Sequence, residues 1–550
     1  MSMNDGRRTW TIALPVLALL LWSVVYPNVA VIAGSFENGL GHWREFMASP
    51  ADREALTTSI VISIASVIAS VIIGVPLAFL LSRFEFPGRR ILKAVATLPA
   101  ALPPLVGVIA FLFLYGESGL VTRAIQRLFG MTEAPWRLTG VWAIIFVHAY
   151  TMYVYVFLFV SAGLDRFDTT LDEAASGLGA SSWQRLRHVT LPLLTPALAG
   201  SMLLVFMTSL GSFSAPYVFG GGIRVLSTQI VSSKLNGSLG LAYVETTVLA
   251  LSAVAGLLLF RWLEGKRKYT SSGKGTATRR AIKSRRAQWI AAILAIAAVV
   301  ILIMPHLMVV LVSFAVDGLW TTQVLPPAYT LENYRRLFTE SQLWKPIMNS
   351  IWMSLAATGA NVIVCFVAAY LIVMRKFAGR RLLEILTALP WAIPATAIAL
   401  GLAATFNQND LSSARILLVG TFWILPLAYF VRNIPLVSTA VESSLRQMDA
   451  SLEDAARGLG ASWWLTMRRV ILPAARPGLI AGALLAGVTA IGEFVASVVL
   501  YTHANRPISL EILAQLRAFA FGTAAAYSVL LILLVLGMTL TARSLEERMA

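Results

Sequence analysis

Between Thr11 and Ala33 the chain carries no charged residue, and eleven further apolar stretches follow it. Hydrocarbon holds no water to bond a bare amide or carbonyl, so such a stretch crosses a bilayer as a helix that satisfies its own backbone. The others run near Ser59 to Leu81, Val95 to Leu114, Thr139 to Ala162, Pro196 to Val218 and Tyr243 to Leu263. The series resumes near Trp289 to Phe314, Asn349 to Met374, Ile385 to Phe406, Ile416 to Val431, Pro477 to Leu500 and Thr523 to Ala542. The pattern predicts an all-α polytopic membrane protein with about twelve transmembrane helices. Composition agrees, since 57% of the 550 residues are hydrophobic and 13% charged, too apolar for a soluble chain of this size. A signal peptide ending at Val31-Ile32-Ala33 is the competing reading of the first run. That run is long for the role, so an uncleaved span is expected.

Glu264 to Gln288 breaks the series with lysines and arginines set among serine, glycine and threonine. It reads as a solvated basic linker, residues 264–288, between a first domain at 1–263 and a second at 289–550. A net charge of +17 could point to nucleic acid. Between membrane spans it points instead to cytoplasmic segments and anionic lipid. The two halves repeat. Gly88-Arg89-Arg90, Leu98-Pro99 and Pro103 recur as Gly379-Arg380-Arg381, Leu389-Pro390 and Pro394 at a shift of 291, while Gly211 and Phe213 recur as Gly492 and Phe494 at 281. Each half has an even number of spans, so the copies insert the same way up and the repeat is parallel. With a cytoplasmic amino terminus, more than two-thirds of the 44 lysines and arginines fall in inward-facing segments. Both termini are therefore expected in the cytoplasm, together with the loops after the fourth and tenth spans.

Those two loops, 172–192 and 453–473, match each other at a shift of 281. Each opens with acids and two alanines, which favour a short helix, and reaches Gly179 or Gly460, where a left-handed residue can end it. Pro192 and Pro473 can then begin the next helix, because a first turn needs no amide donor. Two matched polar loops on a membrane chain would serve as handles for a soluble partner. The plainer reading is an interfacial helix that ties neighbouring spans together.

Glu173-Ala174-Ala175, Gly179, Val189 and Leu191-Pro192 resemble the signature loop of permease subunits in binding-protein-dependent ABC importers. Asp454-Ala455-Ala456, Gly460, Val470 and Leu472-Pro473 give the second copy. The family pattern opens with Glu and commonly has Ile before Leu-Pro; Asp454 and the two valines depart from it while keeping charge or shape. The resemblance covers nearly the whole chain as two fused permease domains. It implies the type I ABC importer permease fold, two parallel six-helix repeats in a bacterial inner membrane. It places Glu173, Ala174, Ala175, Gly179, Asp454, Ala455, Ala456 and Gly460 at the contact with cytoplasmic ATPase subunits, expected as a homodimer. Glu173 also fits a simple helix-dipole role. A periplasmic or lipid-anchored substrate-binding protein is the other implied partner. Tandem fusion is most similar to ferric-iron importers, with thiamine, 2-aminoethylphosphonate and polyamine importers as alternatives.

No Gly-x-x-x-x-Gly-Lys-Ser/Thr phosphate loop is present, so the chain is expected not to be an enzyme and to bind no cofactor, with ATP and Mg on the partner subunits. Cys365 stands alone in an apolar run, and His42, His148, His188, His306 and His503 are scattered without metal-ligand spacing, so no metal site is expected. Glu493 is the one acid read as lying well inside a span, where a charge demands a polar partner or a wet cavity. With Ser209, Ser212, Ser214 and Tyr217 it forms a candidate translocation path. A carboxylate there would suit a cation, but related permeases that handle oxyanions also tend to carry Gly-Glu-Phe, so bracing between helices is the alternative. A secondary transporter of six plus six spans is a rival, and would need ion-coupling charges within the membrane beyond Glu493. A sensor or assembly factor whose loops bind a soluble protein is another.

Overall fold

A computed structural model describes residues 3–547 apart from 102, 167–168, 266–279, 282–283, 321–322, 408–412, 414 and 450. Most of the expected basic linker therefore lies outside the described residues. Among those described, ten helices are long and apolar enough to cross a membrane. Two bent pairs, Ser182–Leu193 with Thr195–Leu210 (65°) and Arg380–Ala392 with Ala395–Phe406 (110°), bring the number to twelve if each is one span.

Several boundaries differ from the hydropathy reading. The run expected to end at Val218 stops at Leu210, and the one expected to end at Leu500 stops at Ile491; short helices Ser214–Phe219 and Val495–Leu500 follow each break. Hydropathy averages across Gly211 and Gly492 because the helices on either side of each break are apolar enough to outweigh the few polar residues at it. The run placed at 416–431 is instead the helix Ile424–Gln447, so Arg432 belongs to a span. Its carboxyl-terminal turns are polar enough to pass for a loop.

Small residues let the helices approach. Pro50–Arg83 starts at Ser49, whose hydroxyl accepts the Asp52 amide at 3.3 Å, and carries Pro50 in its first turn. It buries Ser59, Ser63, Ser66 and Ser70. At Gly74 a Cβ would lie 2.7 Å from Val156 Cβ and 2.8 Å from the Tyr153 carbonyl, so Gly140–Asp165 packs almost onto its backbone. In the second half Gly478 gives the same closeness, a Cβ there lying 2.4 Å from the Ala440 carbonyl. The repeat extends to single hydrogen bonds. Ser59 Oγ accepts the Leu226 amide at 2.9 Å, and Ser350 Oγ accepts the Ile508 amide at 2.8 Å.

Packing divides the chain into two compact units, one of residues 1–48, 230–250 and 330–550, the other of 49–229 and 251–329. The sequence halves at 1–263 and 289–550 do not coincide with them. Within the first unit the opening span of the first half packs on helices of the second half. Trp22 stands edge-on to Phe406 at 4.9 Å, and Gly401 leaves room for the Pro27 carbonyl, which a Cβ would approach to 2.8 Å. Within the second unit Arg285–Ser313, the opening span of the second half, packs on Pro104–Tyr115 and Gly140–Asp165. There the Tyr150 hydroxyl donates to the Leu302 carbonyl and lies 2.9 Å from His306 Nδ1, in the turn disturbed by Pro305. In the same unit Phe84–Glu85 pairs in parallel with Arg280–Ala281.

Candidate functional site

The two matched loops have the same backbone. Thr169–Gly177 and Ser451–Gly458 are helices. Gly179 and Gly460 follow with φ of +85° and +81°, and the amides of Ala180 and Ala461 reach back to the Ala175 and Ala456 carbonyls at 3.0 Å. That bond, spanning five residues, is the Schellman closure for which a left-handed glycine is suited. Ser181 and Ser462 then cap the next helix, accepting the Gln184 and Leu465 amides at 3.3 Å. That helix begins at Ser182 or Trp463, well before the proline expected to open it. A π-helical turn at Leu186–Thr190 or Met467–Ile471 precedes Pro192 or Pro473. The widened turn absorbs a residue that cannot donate to the i−4 carbonyl.

Glu173, Ala174, Asp454 and Ala455 are exposed, and Ala175 and Ala456 are half-buried. Leu178 and Leu459, one residue before the turning glycines, are each 89% exposed; Trp183 and Trp464 are exposed as well. The acids that precede Glu173 and Asp454 lie on the opposite side of their helices. Asp172 is 3% exposed and Glu453 5%. Asp172 Oδ2 accepts Arg83 at 2.9 Å, with Arg185 Nε 3.7 Å from the other oxygen. Glu453 takes both guanidinium nitrogens of Arg375 and accepts Arg457 at 2.8 Å. Arg375 also bonds the Tyr370 hydroxyl, which accepts the Trp463 indole at 3.1 Å. Sequence reasoning missed this layer. The signal was available in the doubled acids Asp172-Glu173 and Glu453-Asp454, since neighbours on a helix are about 100° apart and cannot both face water on one side.

The candidate path residues sit at the broken spans. Ser212 Oγ lies 2.9 Å from His148 Nε2, while Ser66 and Ser209 hydroxyls lie 3.0 and 3.1 Å from Nδ1. Ser214 is buried in the short helix that follows, and Tyr217 stacks on Phe213 with centroids 5.0 Å apart. In the second half Glu493 lies in the break, not within a helix as expected. Oε1 accepts the Ala496 amide at 3.0 Å, capping Val495–Leu500, and Oε2 pairs with Arg432. One backbone feature is common to both breaks: Ser227 Oγ donates to the Ser212 carbonyl at 2.6 Å, and Ser509 Oγ to the Glu493 carbonyl at 2.7 Å. A histidine–serine network in one half thus stands where an ion pair stands in the other. His148 and Arg432 were not among the candidates, and both were hidden by being judged one residue at a time.

Two repeats of membrane helices, broken at equivalent points and each extending a matched polar loop, define a duplicated membrane transport component. The chain belongs to the binding-protein-dependent transport system inner membrane components, a family that matches residues 70–269 and again 360–550. It is 30% identical over 510 residues to a protein of Sinorhizobium fredii named as a probable ABC transporter permease, covering 92% of this chain and 89% of that one. A ferric transport system permease protein of Actinobacillus pleuropneumoniae is 26% identical over 546 residues, 96% of this chain and 77% of its own length. A sulfate transport system permease protein of Escherichia coli is 28% identical over 247 residues, 44% of this chain and 82% of that one. The chain is accordingly an ABC importer permease, two permease domains in tandem, and a multi-pass protein of the inner membrane.

Proposed function

We propose that the chain forms the translocation path for ferric iron and is driven by a separate pair of identical cytoplasmic ATPase subunits that grip the two loops. ATP and Mg are bound by those subunits, and a periplasmic or lipid-anchored binding protein delivers the cargo on the opposite side. Both termini and both loops then face the cytoplasm. The observation that carries this reading is the double presentation of one surface. Leu178 with Glu173 recurs as Leu459 with Asp454, and a leucine 89% exposed in a polar loop is apolar surface awaiting a partner. A partner made of two equal subunits meets both copies alike. ATP closure of the partner would move the loops together and open the spans outward, and hydrolysis would reverse the movement.

Ferric iron rests on the ferric transport system permease protein of Actinobacillus pleuropneumoniae, which matches along 96% of this chain. The pairing of Glu493 with Arg432 removes the net negative charge that had favoured a cation at that break. The partner test is co-purification from detergent with candidate ATPases. Leu178→Asp and Leu459→Asp should each weaken capture, and the double variant should abolish it. An ATPase that binds the double variant as well as the parent would refute the docking assignment. For the cargo, cells dependent on this chain should accumulate radioactive ferric iron and not sulfate; the reverse result assigns an oxyanion.

A further inference from the structure

Each loop helix is fastened to the end of a membrane helix by a buried ion pair, and the two fastenings are built from different arginines. Arg83 is the last residue of Pro50–Arg83, and Arg375 follows directly on Ser341–Met374. Asp172 and Glu453 occupy equivalent places at the shift of 281, whereas the arginines do not. At the shift of 291 that aligns this part of the halves, Arg83 answers Met374, and Arg375 stands one residue further on. The second arginines differ as well. Arg185 has Thr466 as its counterpart, and Arg457 has Ser176. The halves have thus kept the contact while changing the residues that make it, which a bystander of packing would not require.

We infer that Arg83 and Arg375 are positioning residues that lock each loop helix to its membrane helix, so that the pair moves as one rigid lever. The role in transport rests on the proposed coupling reading; the rigidity does not. With Asp172 and Glu453 almost fully buried, any movement that parted the loop helix from the membrane helix would leave a carboxylate without its counter-charge in a poorly hydrated place. Flexing at this joint is therefore the costly motion, and displacement at the exposed tip is passed on to the span. A helix-dipole role for the acids would need no arginine, since a carboxylate in the first turn is already favourable. The third contact strengthens each joint: Arg83 reaches Thr190 Oγ1 at 3.5 Å beyond the first loop helix, and Arg375 is tied through Tyr370 to Trp463 beyond the second.

The test places a nitroxide at position 178 or 459, both exposed, in the purified full-length chain. In Arg83→Gln the label at 178 should become more mobile and that at 459 should not; Arg375→Gln should do the opposite. Arg→Lys at either site should restore part of the immobilisation. Where a single variant fails to accumulate, the neutral pairs Asp172→Asn with Arg83→Gln and Glu453→Gln with Arg375→Gln remove the bare charge and are labelled instead. In proteoliposomes with the ATPase and binding protein, transport per ATP hydrolysed should fall on the order of tenfold, as expected when a positioned group is released, while the ATPase still co-purifies. Unchanged label mobility in the folded variants overturns the inference. Failure of the unmodified chain to bind any ATPase would sink the coupling reading and leave the mobility result to decide the joint.

Discussion

Both oxygens of the Glu493 carboxylate are engaged, one by the Ala496 amide and the other by the Arg432 guanidinium. Arg432→Met would leave the charge with one amide. Because the Arg432 side chain is 38% exposed, the loss should fall at or below the lower end of the ~3–5 kcal/mol seen when a buried pair is broken. Thermal unfolding in detergent should show it. Arg432→Met combined with Glu493→Gln should be milder, since no charge is stranded while the amide keeps its acceptor. Equal destabilisation by the single and double changes would mean that Arg432 acts through packing alone. The acid itself was legible in the sequence, because a charge in an apolar run stands out. Its partner was not, because Arg432 falls just past the apolar run and reads as the start of a loop. The same holds for Asp172 and Glu453: the exposed neighbours Glu173 and Asp454 stand at the family pattern's acidic position, and nothing in one dimension says which of two adjacent acids turns inward.

At the scale of the element, the loop helix, its glycine turn and the capped helix after it form one device used twice. Gly179 and Gly460 need positive φ, while a Cβ at either would meet nothing within 4 Å, so the demand is conformational and not steric. Alanine should cost about 1–2 kcal/mol locally, and asparagine, which visits the left-handed region more readily, should cost less. Proline, with φ fixed near −65°, cannot adopt the turn at all. Gly179→Pro and Gly460→Pro should therefore insert normally yet lose transport-coupled ATP hydrolysis, whereas the asparagine variants retain it; full coupling in both proline variants would refute the assignment. These turns were readable because glycine after an alanine-rich stretch has few other uses. The breaks at Gly211 and Gly492 were not, since the apolar helices on both sides keep the average hydropathy high through the few polar residues of the interruption. The π-turns before Pro192 and Pro473 left no compositional trace either, as a proline inside a helix and a proline at its start look alike in sequence.

Across the whole molecule, twelve spans and an internal duplication could be counted from apolar runs and two constant shifts, but which spans pack together could not. A span that is apolar on all faces carries no signal of its neighbour, and Thr11 to Ala33 is such a stretch. The family match begins at 70 and 360, after the opening span of each half, and those opening spans are the ones packed on the other half's helices. One unit therefore draws residues 1–48 and 230–250 from the first half and 330–550 from the second, and the other unit draws 251–329 across the linker. Contacts such as Trp22 on Phe406 and Tyr150 on His306 do not depend on a covalent connection through the linker. Residues 1–263 and 289–550 produced as two separate chains should consequently associate in the membrane and co-purify through a tag on either one. Produced alone, each should accumulate poorly, because each would leave an opening span and its receiving face uncovered. Removing residues 1–34 from the first chain should reduce its capture of the second, and Trp22→Ala should do so to a lesser degree. Independent accumulation of the two chains, with no capture of one by the other, would mean that the exchanged spans contribute nothing to holding the halves together.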